Sequence, residues 1–205
     1  MTTEVLRPKV SGNAFGYRSQ AGFSMPEMLI VVLIGLIITV IAMPSMVNVI
    51  ATARVRGNIS TLSGIFQNCR ILAVKNNRTM TTHFNPATNG IMAYVKLATD
   101  ISLPTRTDTQ VELEAPVTRY TDPAANGGPA GITVTTLGFT AQTGDASFNS
   151  RGLPCAWSSP NCLNQGFVYY FKVTRRNNND AWAAVSISPA GRIKKWFWDG
   201  TNWSD

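Results

Sequence analysis

Few residues of this sequence are of types that do chemistry, and the most conspicuous is a carboxylate in an apolar setting. Glu27 stands in "FSMPEMLIVVLIGLIITVIAM", where Met28 to Met43 carries no charged residue. With Phe23 to Pro26 the run reaches about 20 residues, roughly 30 Å as a helix, which is enough to span a bilayer. A carboxylate in hydrocarbon costs about 2.5–3.5 kcal/mol on insertion scales, so it persists mainly where something pairs with it. The alternative is a place near the membrane surface, where a negative charge favours a helix N-terminus. Pro26 suits a first helical turn, in which its missing N–H is not needed.

The 22 residues ahead of this run, "MTTEVLRPKVSGNAFGYRSQAG", are polar, carry Arg7, Lys9 and Arg18, and have no apolar core. A conventional secretory signal is cut after its apolar segment, next to small residues. Here the small residues Ala21 and Gly22 come before it. The spacing therefore predicts cleavage between Gly22 and Phe23 on the cytoplasmic side, which keeps the apolar helix in the mature protein. Cleavage creates a cationic partner for Glu27, the new amino group of Phe23. The basic leader follows the positive-inside rule and leaves the C-terminal bulk outside.

Catalysis finds little support. The one histidine, His83, falls in an expected hairpin strand without a motif that supplies a nucleophile or acid beside it. Glu112 and Glu114 fit the solvent face of an alternating strand. No phosphate-cradling glycine loop or metal cluster is recognisable, and no cofactor is expected. Cys155 and Cys162 bracket "AWSSPN" in a spacing that is not a redox CxxC. An oxidising exported compartment permits a structural disulfide there, worth about 2–3 kcal/mol in the chain-entropy model. Cys69 lies on an apolar helix stripe and reads as a buried free thiol.

The segment "GFSMPE" resembles the type III signal of type IV pilins and type II secretion pseudopilins: glycine, a cut, phenylalanine, then glutamate fifth after the cut. Pro44, twenty-second after it, resembles a proline of that class. The resemblance implies cleavage by a prepilin peptidase, N-methylation of Phe23, and a role for Glu27 in aligning an incoming subunit in a helical filament. It also implies the bacterial inner membrane and other major and minor pilins or pseudopilins as partners, with the C-terminal domain in the periplasm. "FNSRGLP", Phe148 to Pro154, and "VSISPAGRIKKW", Val185 to Trp196, resemble segments of the GspH/FimT group of minor pilins and pseudopilins. Some members of that group bind DNA through a glycine–arginine motif followed by another basic residue. Gly191, Arg192 and Lys194 or Lys195 are similar, with lysine in place of the usual second arginine.

Basic residues sharpen that alternative. Arg151, Lys172, Arg175, Arg176, Arg192, Lys194 and Lys195 face only Asp180, Asp199 and Asp205 in the C-terminal part, an excess of four positive charges. Trp196, Trp198 and Trp203 lie close by, a mixture able to contact phosphates and stack on bases. The same residues also fit a solvated basic strand end with tryptophans packed on a sheet. Two functions thus stay open: a low-copy structural subunit of a type IV pilus or type II secretion pseudopilus, and a receptor for double-stranded DNA.

The elements that position these residues are legible from periodicity. The 205 residues, with net charge +7, suit one domain of ordinary size bearing a membrane segment. Val55, Ile59, Leu62, Phe66, Cys69 and Ala73, with Ile65 and Leu72 beside them, form one apolar helical stripe, while Arg54, Arg56, Asn58, Asn68 and Arg70 lie largely elsewhere. From Thr79 the pattern turns to β-type runs. "TMTTHF" and "GIMAYVKL" flank "NPATN" as a hairpin, and "TQVELEA", "GITVTTLGFTA", "GFVYYFKVT" and "AWAAVSIS" follow. "TDPAANGGPAG" is a turn-rich loop. The expected organisation is a leader at 1–22, a transmembrane and filament-core helix at 23–43, its amphipathic continuation at 44–78, and a β-rich domain at 79–205. The fold class is α+β, a long N-terminal helix packed on an antiparallel β-sheet.

Overall fold

The computed structural model describes residues 22–87, 90–114, 117–174 and 180–205, with side chains left aside at 42–45, 47, 86, 87 and 90. Expectations for Arg7, Lys9, Arg18, Ala21, the Pro44 side chain, the loop residues Thr88 and Asn89, and Arg175 and Arg176 fall outside the described residues. The chain divides into two units, Met1–Ala42 and Met43–Asp205.

Helix α1 runs over Met25–Asn76. In the second unit its apolar stripe is buried as the 3.6-residue period requires: Val55, Ile59, Leu62, Ile65, Phe66, Cys69 and Ala73 are each at most 3% exposed. Phe66 stacks on Tyr169 with ring centroids 5.2 Å apart. Asn77 adopts a positive φ of 50° just past the helix, a conformation asparagine tolerates better than most residues.

Among the described residues twelve strands follow: β1 (Met80–Ala87), β2 (Gly90–Leu97), β3 (Gln110–Glu114), β4 (Val117–Tyr120), β5 (Ala141–Gln142), β6 (Ala146–Phe148), β7 (Pro154–Ser158), β8 (Asn161–Asn164), β9 (Gly166–Val173), β10 (Ala181–Ile187), β11 (Ile193–Trp198) and β12 (Trp203–Ser204). They form two sheets, ordered β3-β2-β1-β6-β7-β8 and β12-β11-β10-β9-β4, with β5 added to β9. All pairings are antiparallel except β5 with β9. The α+β class with a helix on antiparallel sheet is therefore the observed one, distributed over two sheets.

One apolar core joins the α1 stripe to both sheets, through residues such as Ala93, Leu113, Phe148, Tyr169 and Val185. A second cluster lies on the other face of β9 and β10, where Val168, Tyr170 and Ala184 meet Ile132 and Trp196. Covering both faces explains why "GFVYYFKV" is almost continuously apolar instead of alternating. The Tyr170 hydroxyl accepts from the Ile132 backbone N–H at 2.9 Å, and the Tyr169 hydroxyl donates to the Gly144 carbonyl at 2.7 Å.

Two expectations require correction. "GITVTTLGFTA" is not one strand: Val134–Leu137 forms a short helix, α2, and only Ala141–Gln142 pairs as strand. The Thr133 hydroxyl accepts from the Thr136 N–H, and Gly138 closes the turn at φ 79°, a cap-and-glycine arrangement that overrides β-branched composition. Asn58, assigned to the polar side of the helix, is 6% exposed. Its amide donates to the Glu114 carbonyl and accepts from the Glu114 N–H, both at 3.0 Å.

Candidate functional site

In the first unit, residues 22–24 precede the helix and α1 begins at Met25. The Ser24 carbonyl accepts from the N–H groups of Glu27 (3.0 Å) and Met28 (3.2 Å), which closes the first turn. Pro26 falls in that turn, where it forfeits no helical hydrogen bond. Glu27 is the acidic residue of the first turn and is exposed, so its charge complements the helix dipole. Phe23 is 72% exposed.

Beyond Glu27, successive residues from Met28 to Leu33 are all exposed, as are Ile34, Leu36, Ile37, Ile38, Val40 and Ile41. Consecutive positions point to every side of a helix, so the apolar surface surrounds it. Such a surface is stable only among lipid tails or other apolar helices. Among the described residues no helix is long and apolar enough to cross a membrane.

The three cysteines differ in setting. β7 and β8 pair as a hairpin, Trp157 opposite Cys162 and Cys155 opposite Asn164. Cys155 and Cys162 are bonded across it, with Cα atoms 5.3 Å apart. Cys69 is free and buried. Burial pushes its thiol up to about 12, with the neighbouring Thr82 only partly countering it, so the nucleophilic thiolate is suppressed.

His83 is half-buried on β1, its Nδ1 2.9 Å from Asp145 Oδ2. Between β1 and β6 the hydroxyls of Thr81 and Ser147 bond each other at 2.7 Å, so the neighbouring serine is turned to threonine. Glu112 and Glu114 are exposed on β3, and Glu114 lies 3.9 Å from Arg54. Among the described residues no group of three or more His, Cys, Asp or Glu side chains could hold a metal ion.

The basic candidates are not one patch. Lys194 and Lys195 are successive residues of β11 and so point to opposite faces. Lys194 is 2.6 Å from Asp205 and holds that carboxyl below the usual range, whereas Lys195 donates to Ser60 on α1 at 3.3 Å. Arg192 precedes the strand in the turn after β10. Trp196 is buried and donates to Ser186 at 2.8 Å, and Trp203 donates to the Ala130 carbonyl. Trp198 packs against Trp203 with centroids 5.5 Å apart. These indoles are committed to packing.

Sequence reasoning missed Arg70. The turn of "FNSRGLP" is tied by Asn149, whose side-chain oxygen accepts from Arg151 and Leu153 N–H groups; the turn of "SPAGR" is tied by the Gly191 N–H donating to the Ser188 carbonyl at 2.7 Å. Gly152 and Gly191 take φ of 75° and 82°. A Cβ on Gly152 would meet Arg70 Nε at 3.0 Å, and one on Gly191 would meet Arg70 Nη1 at 3.4 Å and the Gly152 carbonyl at 3.5 Å. The two sequence motifs therefore converge on one helix side chain. Their paired glycines were the available signal.

Residues 17–43 match the prokaryotic N-terminal methylation motif. No curated protein and no solved structure matches the chain significantly. The matched residues contain Gly22, Phe23 and Glu27, and the motif implies processing by a prepilin peptidase, a membrane-anchored N-terminus and assembly with other pilins. The chain is thus type IV pilin-like, carrying the prepilin methylation motif ahead of an α+β domain consistent with that fold.

Proposed function

We propose that this chain is a minor pilin or pseudopilin of the GspH/FimT group, a low-copy structural subunit of a type IV pilus or type II secretion pseudopilus. It is made as a precursor, cut between Gly22 and Phe23, methylated at Phe23, and held in the bacterial inner membrane by the segment 23–43 with the domain after it in the periplasm. There Cys155 and Cys162 form a structural disulfide. From the membrane it passes into the filament.

The observation that carries this reading is the N-terminal part of α1, apolar on every side from Met28 to Ile41, with one carboxylate in its first turn and the methylation motif around it. An all-round apolar helix suits two environments in succession, lipid and the apolar interior of a filament. Glu27 is the group that distinguishes them, because an unpaired carboxylate gains most where an amino terminus is presented to it. Assignment to the GspH/FimT group draws support from the meeting of both resembling segments at Arg70.

The test is Glu27→Ala, compared with wild type in membrane and sheared-filament fractions by immunoblot. The reading expects undiminished membrane insertion, since the segment becomes more apolar, and a marked loss from the filament fraction. Equal recovery in filaments would reduce Glu27 to a helix-end residue.

A further inference from the structure

The C-terminal end of α1 and the two turns that meet it form a groove of about 600 Å³, lined by Gln67, Arg70, Ile71, Val74, Lys75, Gly191 and Ile193. Arg151 and Arg192 are the chain neighbours of Gly152 and Gly191, the two glycines that approach Arg70, and Arg78 follows where its N–H donates to the Ala73 carbonyl at the helix end. All five cations are exposed. Among the described residues none of them is in an ion pair, while Arg54, Lys96, Arg119, Lys172 and Lys194 each lie against a carboxylate. Among the described residues no carboxylate lines the groove.

The floor is of the opposite character. Ile71 is 62% and Val74 51% exposed, both on α1 and both between cations. A solvated basic face gains nothing from exposed aliphatic side chains, and an isolated apolar contact gains nothing from the surrounding cations, of which Arg192 also acts on the Asp205 carboxylate. Together they match an amphipathic helix with acidic flanks, which seats aliphatic anchors in a groove and sets its carboxylates on the rim.

We propose that this groove binds an acidic amphipathic segment of a different protein subunit. The inference rests on the assembly reading above and adds the chemistry of the partner. A second copy is disfavoured because each, once the leader with its net +2 is removed, still carries a net side-chain charge of +5, and most of its domain carboxylates are already engaged by its own cations or N–H groups. A nucleic acid backbone has no aliphatic face for Ile71, Val74 and Ile193, and the lining has no aromatic ring on which a base could stack.

The test uses the full chain in neutral phosphatidylcholine nanodiscs, with empty discs as blank. The probe is a labelled synthetic helical peptide with leucines at i, i+3, i+4 and i+7 and glutamates elsewhere, set against a scrambled peptide of equal composition and against duplex DNA. Anisotropy should show the amphipathic peptide binding at least ten-fold tighter than either. Lys75→Glu/Arg151→Glu and Ile71→Ser/Val74→Ser should each weaken it about ten-fold or more. Arg106→Glu/Lys195→Glu, with the same change in net charge elsewhere, should leave it within about two-fold. Equal loss in that control, equal binding of the scrambled peptide, or no peptide binding at all would overturn the proposal. DNA binding lost with the charge pair but kept with the serine pair would overturn it in favour of a nucleic-acid face. If the peptide fails to bind while the chain still enters sheared filaments, only the groove's role falls; absence from filaments defeats the assembly reading itself.

Discussion

Asn58→Ala should destabilise the domain by an amount readable from two bonds. The Asn58 side chain is nearly buried and makes two 3.0 Å hydrogen bonds, donating to the Glu114 carbonyl and accepting from its N–H, so it ties α1 to the end of β3. Each such bond contributes about 0.5–1.5 kcal/mol net, giving about 1–3 kcal/mol for the pair. Alanine is also a better helix former than asparagine, by about 0.5 kcal/mol, which opposes the loss. Asn68→Ala supplies the correction: Asn68 is exposed on the same helix and gains the same propensity without losing a bond. The difference between the two variants should thus be about 1–3 kcal/mol, or about 2–12 °C in melting temperature for a domain of this size. Thermal unfolding of the full chain in neutral detergent, followed by circular dichroism, measures it. Coincident melting of the two variants would refute the argument that Asn58 fastens β3.

The cysteines give two further expectations. Cys155→Ser should lower stability by about 2–3 kcal/mol through loss of loop-closure constraint, and wild type without reductant should offer neither Cys155 nor Cys162 to alkylation, as mass spectrometry of labelled peptides would show. Cys69 has a folded pKa raised by burial to about 12, above an unfolded value of about 8.5. A raised acid stabilises fully below the unfolded pKa and loses that contribution as pH rises toward the folded one. Wild type should therefore lose more stability than Cys69→Ala between about pH 8 and pH 10, and parallel denaturation curves would contradict this.

The parts of the fold that could be read from sequence are those whose pattern is local. The stripe from Val55 to Ala73 has the helix period over five turns, and its residues are the buried ones. β9 and β10 are long enough, and apolar enough on both faces, to be recognised as buried strands. β6 to β8 are only three to five residues each and are specified by pairing, which no short window reveals. α2 depends on one threonine cap inside a β-branched run. Asn58 and Arg70 were misjudged or missed because their partners, Glu114 and Gly191, are 56 and 121 residues away. At the N-terminus the situation is the reverse: Gly22, Phe23 and Glu27 are recognisable by order and spacing alone, since the peptidase and the membrane act on a linear segment.

Processing at that segment can be read from the mass of the mature N-terminus. Intact-mass and N-terminal peptide analysis of protein extracted from membranes should find Phe23 as the first residue, bearing a methyl group on its amino nitrogen. An intact leader beginning at Met1, or an N-terminus created beyond the apolar run, after Pro44, would contradict the account.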